Sequence, residues 1–389
     1  MEGKKVIVRV DYNVPIKNGR VEDDTRLKAT MPTINFLLEK NCRIVLMSHL
    51  GRPKDLIEKG ITMEDAKKML TLNPVAKELS NILNKEVFFI DDCINIKIPQ
   101  NKNIVLLENL RFHHEEEKNN EDFAEKLSKN GQIYVNDAFG ASHRAHASVS
   151  AITKFLPSCA GFLVEKEVNE LSKILNPEKP FVAIVAGAKA DKIGPLKILA
   201  KKADYILIAG VLANTFLKAK GSDIGSSKFD EETFNVVQEI ITIAGKKLIL
   251  PSDFIAADKF DSNANIKTLK ISQLEKGWMA LDIGPETIQN YKNILKKAKT
   301  VLWTGPLGVF EMEKFSNGTR QIGDFIANLN ANKIIGGGDS AAAVEKFNLA
   351  NKMTHVSTGG GASLEFIEKE GKLPALVALE AYYNKSKQK

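Results

Sequence analysis

Two glycine runs follow directly on apolar, β-branched residues. In KIIGGGDSAAAVEKF, Ile334 and Ile335 precede Gly336, Gly337 and Gly338, then Asp339, Ser340 and three alanines. In the second run, HVST leads into Gly359, Gly360 and Gly361 and a helical ASLEFIEK. Glycines between a strand end and a helix start bare the main-chain N–H groups, and the helix behind them adds about half a positive charge. Such loops suit an anion, phosphate first. Asp339 and Ser340 are expected at a helix N-cap, and the Asp339 carboxylate is the best candidate for holding Mg²⁺ beside phosphate oxygens.

The first half offers a different chemistry. Arg26, Arg52, Arg111 and Arg144 stand in polar segments with His49. One arginine alone is more often a surface ion pair. Four, each beside an expected strand end, point to a doubly anionic small molecule held by guanidinium forks. Asp11 and Asn13 follow VIVRV, Ser48 to Arg52 (with His49, Leu50 and Gly51) follow RIVLM, and Arg111 follows NIVLL. Arg26 sits in VEDDTRLK, read as a polar loop before the first helix.

In the second half the strand ends carry small residues: Ala186-Gly187, Ala209-Gly210 and Thr304-Gly305. Lys189 and Lys192 are expected to open a helix with their ammonium groups near phosphate, and Glu311 is placed to accept ribose hydroxyls. No G-x-x-x-x-G-K-[ST] is present, and no G-x-G-x-x-G opens a βαβ unit, so a P-loop protein and a nicotinamide dehydrogenase are disfavoured. His143 and His146 lack a third ligand, and the histidines and cysteines do not combine at zinc-site spacing. His113-His114 reads as an exposed helix start, and Cys42, Cys93 and Cys159 as buried reduced thiols.

These residues need a scaffold. Expected strands are Val6–Val10, Ile44–Met47, Val87–Ile90, Ile104–Leu107 and Ile133–Val135. A second series is Phe181–Val185, Tyr205–Ile208, Lys247–Leu250, Met279–Ile283, Val301–Trp303, Ile334–Ile335 and His355–Ser357. Alternation with amphipathic helices predicts α/β architecture with parallel sheets, which bind ligands at the strands' carboxyl ends. At 389 residues two domains are expected. They are 1–158 for the anionic substrate, with 374–389 packing back on it, and 179–373 for the nucleotide. An interdomain helix or hinge at 159–178 joins them. A net charge of +7 suits anionic partners, but no motif supports a nucleic-acid surface. Neither a membrane-spanning run nor a signal segment is read, so the cytoplasm is the expected location.

Seven motifs in order resemble the phosphoglycerate kinase family: RVDYNVP (9–15), SHLGRP (48–53), LLENLRFH (106–113), VNDAFGASHRAH (135–146), GPLGVFE (305–311), IGGGDS (335–340) and STGGGASLE (357–365). The resemblance covers nearly the whole chain. It implies two Rossmann-like domains facing across a cleft and a reversible phosphoryl transfer between 1,3-bisphosphoglycerate plus ADP and 3-phosphoglycerate plus ATP. Mg²⁺ would accompany the nucleotide, and the chain would act as a monomer. Substrate contacts would fall on Asp11, Asn13, Arg26, His49, Leu50, Gly51, Arg52, Arg111 and Arg144. Nucleotide contacts would fall on Gly187, Lys189, Lys192, Gly210, Ala280, Glu311, Gly337, Gly338, Asp339 and Ser340. Arg26, Lys189 and Gly359 to Gly361 would serve the moving phosphoryl group. Departures from the family pattern cluster in the nucleotide half: the Lys189–Lys192 spacing, Ala186, Val211, Ala280, and Thr304 for the usual asparagine. The runner-up reading is a homologue catalytically weakened by them.

Overall fold

A computed structural model describes residues 1–187 and 193–388, and the chain divides into two compact units. One comprises Met1–Val168 with Lys372–Lys389, the other Asn169–Gly371.

In the first unit, β1 (Lys5–Val10) is followed by a small hairpin, β2 (Ile16–Lys17) and β3 (Arg20–Val21). Then come β4 (Arg43–Met47), β5 (Phe88–Ile90), β6 (Ile104–Leu107), β7 (Ile133–Asp137) and β8 (Ser158–Ala160). The sheet order is β5-β6-β4-β1-β7-β8, parallel throughout. Side chains alternate between two cores. Val6, Val8, Val10, Ile44 and Leu46 pack with the helices Met31–Glu39 and Asn73–Leu83, while Ile7, Val45 and Met47 pack with the helix Glu121–Ser128. Both faces are therefore buried, as a parallel sheet requires. The carboxyl-terminal helix Pro374–Lys387 packs on β8 and the turn Ala151–Lys154.

The second unit holds β9 (Phe181–Val185), β10 (Tyr205–Ile208), β11 (Leu248–Ile249), β15 (Thr300–Thr304), β16 (Asn332–Gly336) and β17 (His355–Val356). Their order is β11-β10-β9-β15-β16-β17, again parallel. Between β11 and β15 the chain forms β12 (Asp253–Ala257), β13 (Ile266–Lys270) and β14 (Met279–Ile283), a separate antiparallel sheet ordered β13-β12-β14. Met279–Ile283, expected in a parallel sheet, belongs here. Its register with β12 shifts between Ile255 and Ala256.

Several expectations need correction. Arg26 lies in a short helix, Thr25–Ala29, rather than in a loop. Half-buried His113 follows a 3-10 turn, Leu110–Phe112, and starts no helix. Cys159 is exposed, whereas Cys42 and Cys93 are buried. The helix after β16 starts at Gly338 with Gly337 as its cap, so Asp339 and Ser340 lie inside the first turn. Among the described residues no helix is long and apolar enough to cross a membrane.

Candidate active site

All strands of the first sheet run the same way, so the segments after β1, β4, β6 and β7 share one rim. Asp11 follows β1 and His49 follows β4, and these two strands are neighbours. Arg26, carried on its short helix, closes an ion pair on Asp11, with Nη1 2.6 Å from Oδ2. Gly140 leaves room for that pair, because a Cβ there would lie 2.3 Å from Asp11 Oδ2. Asn13 Oδ1 accepts from Gly51 N–H (2.9 Å), and Arg111 Nη1 donates to the Gly51 carbonyl (2.7 Å). Leu50 is held by Asn109: Leu50 N–H donates to its Oδ1 (3.1 Å), and its Nδ2 donates to the Leu50 carbonyl (2.7 Å). The 49–51 turn is thus fixed by three residues, Asn13 from the segment after β1 and Asn109 and Arg111 from the segment after β6.

Beneath this rim lies a charged layer that sequence reasoning missed. Arg9 is wholly buried; its Nε donates to Ser148 Oγ (2.9 Å), and a second guanidinium nitrogen donates to the Val10 carbonyl. Its Nη2 lies 3.0 Å from His49 Nδ1. A guanidinium can only donate, so Nδ1 must be the unprotonated nitrogen of His49. Burial, reinforced by Arg9, Arg111 and Arg26, holds the His49 pKa well below the ordinary histidine value. His49 is therefore a neutral ring whose orientation Arg9 sets. Glu116, also wholly buried, accepts from Ser148 Oγ (2.5 Å) and Ser148 N–H (2.9 Å). Burial raises its pKa, against the opposing pull of Arg9. The only hint in the sequence was an arginine inside an apolar strand.

Arg52, Arg111 and Arg144 line a basin of about 890 Å³ together with His113 and Lys118. Arg111 is the most enclosed of the three; burial first, then Arg9, Arg144 and Arg52, lower its pKa, while Glu117 at 3.3 Å opposes them. Arg52 is exposed and lies 3.8 Å from Asp55. Arg144 Nε donates to His143 Nε2 (3.0 Å). Asp55, Glu58 and Glu117 also line the basin, but Arg52, Lys54, Arg111, Lys118 and Arg144 outnumber them, and such an excess of positive charge suits a small polyanion.

The second sheet presents Gly187, Gly210, Gly305 and Gly337 after β9, β10, β15 and β16. Gly337 has φ +93°, a conformation that L side chains avoid. The first main-chain bond of the helix Gly338–Lys346 is Ala341 N–H to the Gly337 carbonyl (3.1 Å), so the preceding turn presents the helix's positive end. Ser340 Oγ is committed internally, accepting from Gly305 N–H (2.6 Å) and donating to the Gly336 carbonyl (2.8 Å). It ties two rim loops together, so its own hydroxyl is not offered to a phosphate. The helix Gly361–Glu368 begins similarly from Gly360, φ +54°, whereas Gly359 N–H donates to Ser357 Oγ (3.1 Å).

Asp339 and Glu311 are exposed. Ala280 lies in β14, where its N–H donates to Ser227 Oγ (2.9 Å), so it belongs to the antiparallel sheet and not to the parallel rim. Lys189 and Lys192 lie outside the described residues. Thr304 Oγ1 is buried and has no hydrogen-bond partner among the described residues; a Cβ on Gly337 would lie 3.4 Å from it. That unmet hydroxyl fits a polar ligand at this rim, and nothing would crowd a Cβ at Gly338 within 4 Å. An exposed carboxylate beside such a phosphate-ready turn has the hard oxygen that Mg²⁺ takes.

Comparisons with known proteins place the chain in a family. A family model described as phosphoglycerate kinase matches residues 1–371. A phosphoglycerate kinase of Moorella thermoacetica is 47% identical over 390 residues, covering 97% of each chain. A chloroplastic one of Volvox carteri is 47% identical, covering 98% of this chain and 84% of its own. The solved structure of the Coxiella burnetii phosphoglycerate kinase superposes with a TM-score of 0.86 at 40% identity, covering 98% of this chain and 97% of its own. That from Pyrococcus horikoshii OT3 gives 0.83 at 32% identity, covering 99% and 98%. An arginine-lined rim in one unit and a glycine-lined rim in the other thus accompany a match along almost the full length, and the chain belongs to the phosphoglycerate kinase family.

Proposed function

We propose that the chain transfers the acyl phosphate of 1,3-bisphosphoglycerate to ADP, reversibly, with the first unit holding the phosphoglycerate and the second the nucleotide. The observation that carries the division of labour is the Arg26–Asp11 pair and the buried Arg9–His49 contact on one rim. The helix start at Gly337–Gly338 on the other rim, which no side chain caps, supports the nucleotide role. Arg52, Arg111 and Arg144 hold the substrate's remote phosphate, and Asp11, Asn13 and the 49–51 turn orient its carboxyl end.

Phosphoryl transfer asks little covalent chemistry of a protein; it asks for in-line placement and cations around the spreading charge. The attacking ADP oxygen and the departing carboxylate are both anionic, so no general base is required. Arg26 is the group that meets the moving phosphoryl from the substrate side, with Gly360 and Gly361 N–H groups at a helix end on the other. Asp339 would hold Mg²⁺, which when bound neutralises charge on the nucleotide phosphates. The two ligands must come within bonding reach, which implies movement about the 159–178 segment before chemistry, with water excluded.

A substrate panel tests this reading. The full chain with Mg-ATP should phosphorylate 3-phosphoglycerate and discriminate strongly against carboxylates that lack the remote phosphate. Equal rates with acetate would remove the role given to the arginines.

A further inference from the structure

Asp92 and Cys93 play no part in the transfer described above; His113 lines the arginine basin, but no contact with the substrate is assigned to it. Parallel neighbours bring them together: Asp92 and Cys93 come shortly after β5, and His113 closes the 3-10 turn after β6. One carboxylate oxygen, Sγ and one ring nitrogen all lie within 4.8 Å of one another, the only such group of three among the described residues. Asp92 Oδ1 is held by Cys93 N–H (2.6 Å) and lies 2.8 Å from His113 Nε2. The His113 ring is braced against Phe123, 5.2 Å between centroids. Exposure is graded: Cys93 is buried at 1%, whereas the side chains of His113 and Asp92 are 25% and 48% exposed.

We propose that Asp92, Cys93 and His113 form a site for a borderline divalent cation, Zn²⁺ by preference, with a water as fourth ligand. Sulfur and imidazole select against Mg²⁺, so the site is distinct from the Asp339 carboxylate in chemistry as well as position. The ion enters from the exposed carboxylate side and meets the buried sulfur last. Binding forms an S–metal bond and releases the Cys93 thiol proton to solvent; the imidazole coordinates through Nε2, its proton passing to Nδ1. One thiolate and one carboxylate balance the ion's two charges, which leaves a neutral centre compatible with burial. The Nε2–Oδ1 distance must open from 2.8 Å to about 3.3 Å, the tetrahedral edge for bonds of about 2.0 Å. The 19 residues between Cys93 and His113 match no zinc-ligand spacing, which is why the sequence does not reveal the site.

Co²⁺ titration of the full chain followed by absorption spectroscopy tests this, in a Cys159→Ala background that removes the exposed thiol. The expected result is a thiolate-to-cobalt charge-transfer band saturating at one equivalent and abolished by equimolar Zn²⁺. The band should vanish in Cys93→Ser. In His113→Ala, a partly exposed position where folding is not at stake, affinity should fall at least about tenfold. No charge-transfer band in the parent, or a titration unchanged in either variant, overturns the proposal.

Discussion

Arg9 carries a fixed charge in a fully enclosed place, and its partners are shared out among Ser148, the Val10 carbonyl and the His49 ring. Removing one member of such a layer strands the others without water. Arg9→Met should therefore destabilise the fold by about 3–5 kcal/mol, the cost of breaking buried charge compensation. Arg52→Ala, at an exposed ion pair, should cost under about 1 kcal/mol. Urea unfolding of the two variants checks the contrast; equal losses would mean that the buried layer is not a structural unit. At this scale the sequence was half legible. Arg111 and His49 announce themselves as polar residues just past apolar strands, and Arg26 by its place in a polar segment. Arg9 and Glu116 do not, because their importance lies in burial: Arg9 is a lone charge in an apolar run and Glu116 one of three successive glutamates, and neither carries a sign of what faces it.

At the scale of elements, the helix that starts at Gly338 depends on Gly337 at φ +93°. Gly337→Ala should weaken ADP binding, by straining the turn at roughly 1–2 kcal/mol and by pressing a methyl toward Thr304 Oγ1. Calorimetric titration with ADP measures it, and an unchanged Kd would separate this turn from the nucleotide. Asp282 anchors another element: its Oδ2 accepts from Gly318 N–H (2.8 Å), in the first turn of the helix Asn317–Ala327, and burial pushes its pKa up to about 7. Between pH 4 and 7 the native state keeps a proton that the unfolded chain has lost, so stability falls as pH rises through that window. At about 1.4 kcal/mol per pKa unit the effect is on the order of a few kcal/mol. Asp282→Asn should lose this dependence, so the variant should compare better with the parent at pH 7.5 than at pH 5 in urea unfolding. A gap that does not change with pH would contradict the assignment. Most strands were legible because β-branched runs end abruptly. β8, β12 and β13 were not: Ser-Cys-Ala is short and lacks branching, DFIAA is half alanine and acid, and exposed IKTLK is paired by a neighbour that the local sequence does not name.

Across the whole molecule the proposed transfer calls on two chemically unlike rims, one of guanidinium groups and one of bare main chain. The family's motifs suggest that division from sequence alone, whereas the separate antiparallel sheet and the buried layer under His49 required the fold. Arg26 is where the proposed division is most exposed to test, because it belongs to the first unit yet is assigned a transition-state contact. The decisive measurement is steady-state turnover of Arg26→Ala with 3-phosphoglycerate and Mg-ATP, alongside its ADP affinity. We expect kcat to fall by about 10²–10³-fold with the ADP Kd unaltered. An Arg26→Ala enzyme that turns over at the parental rate would contradict the account.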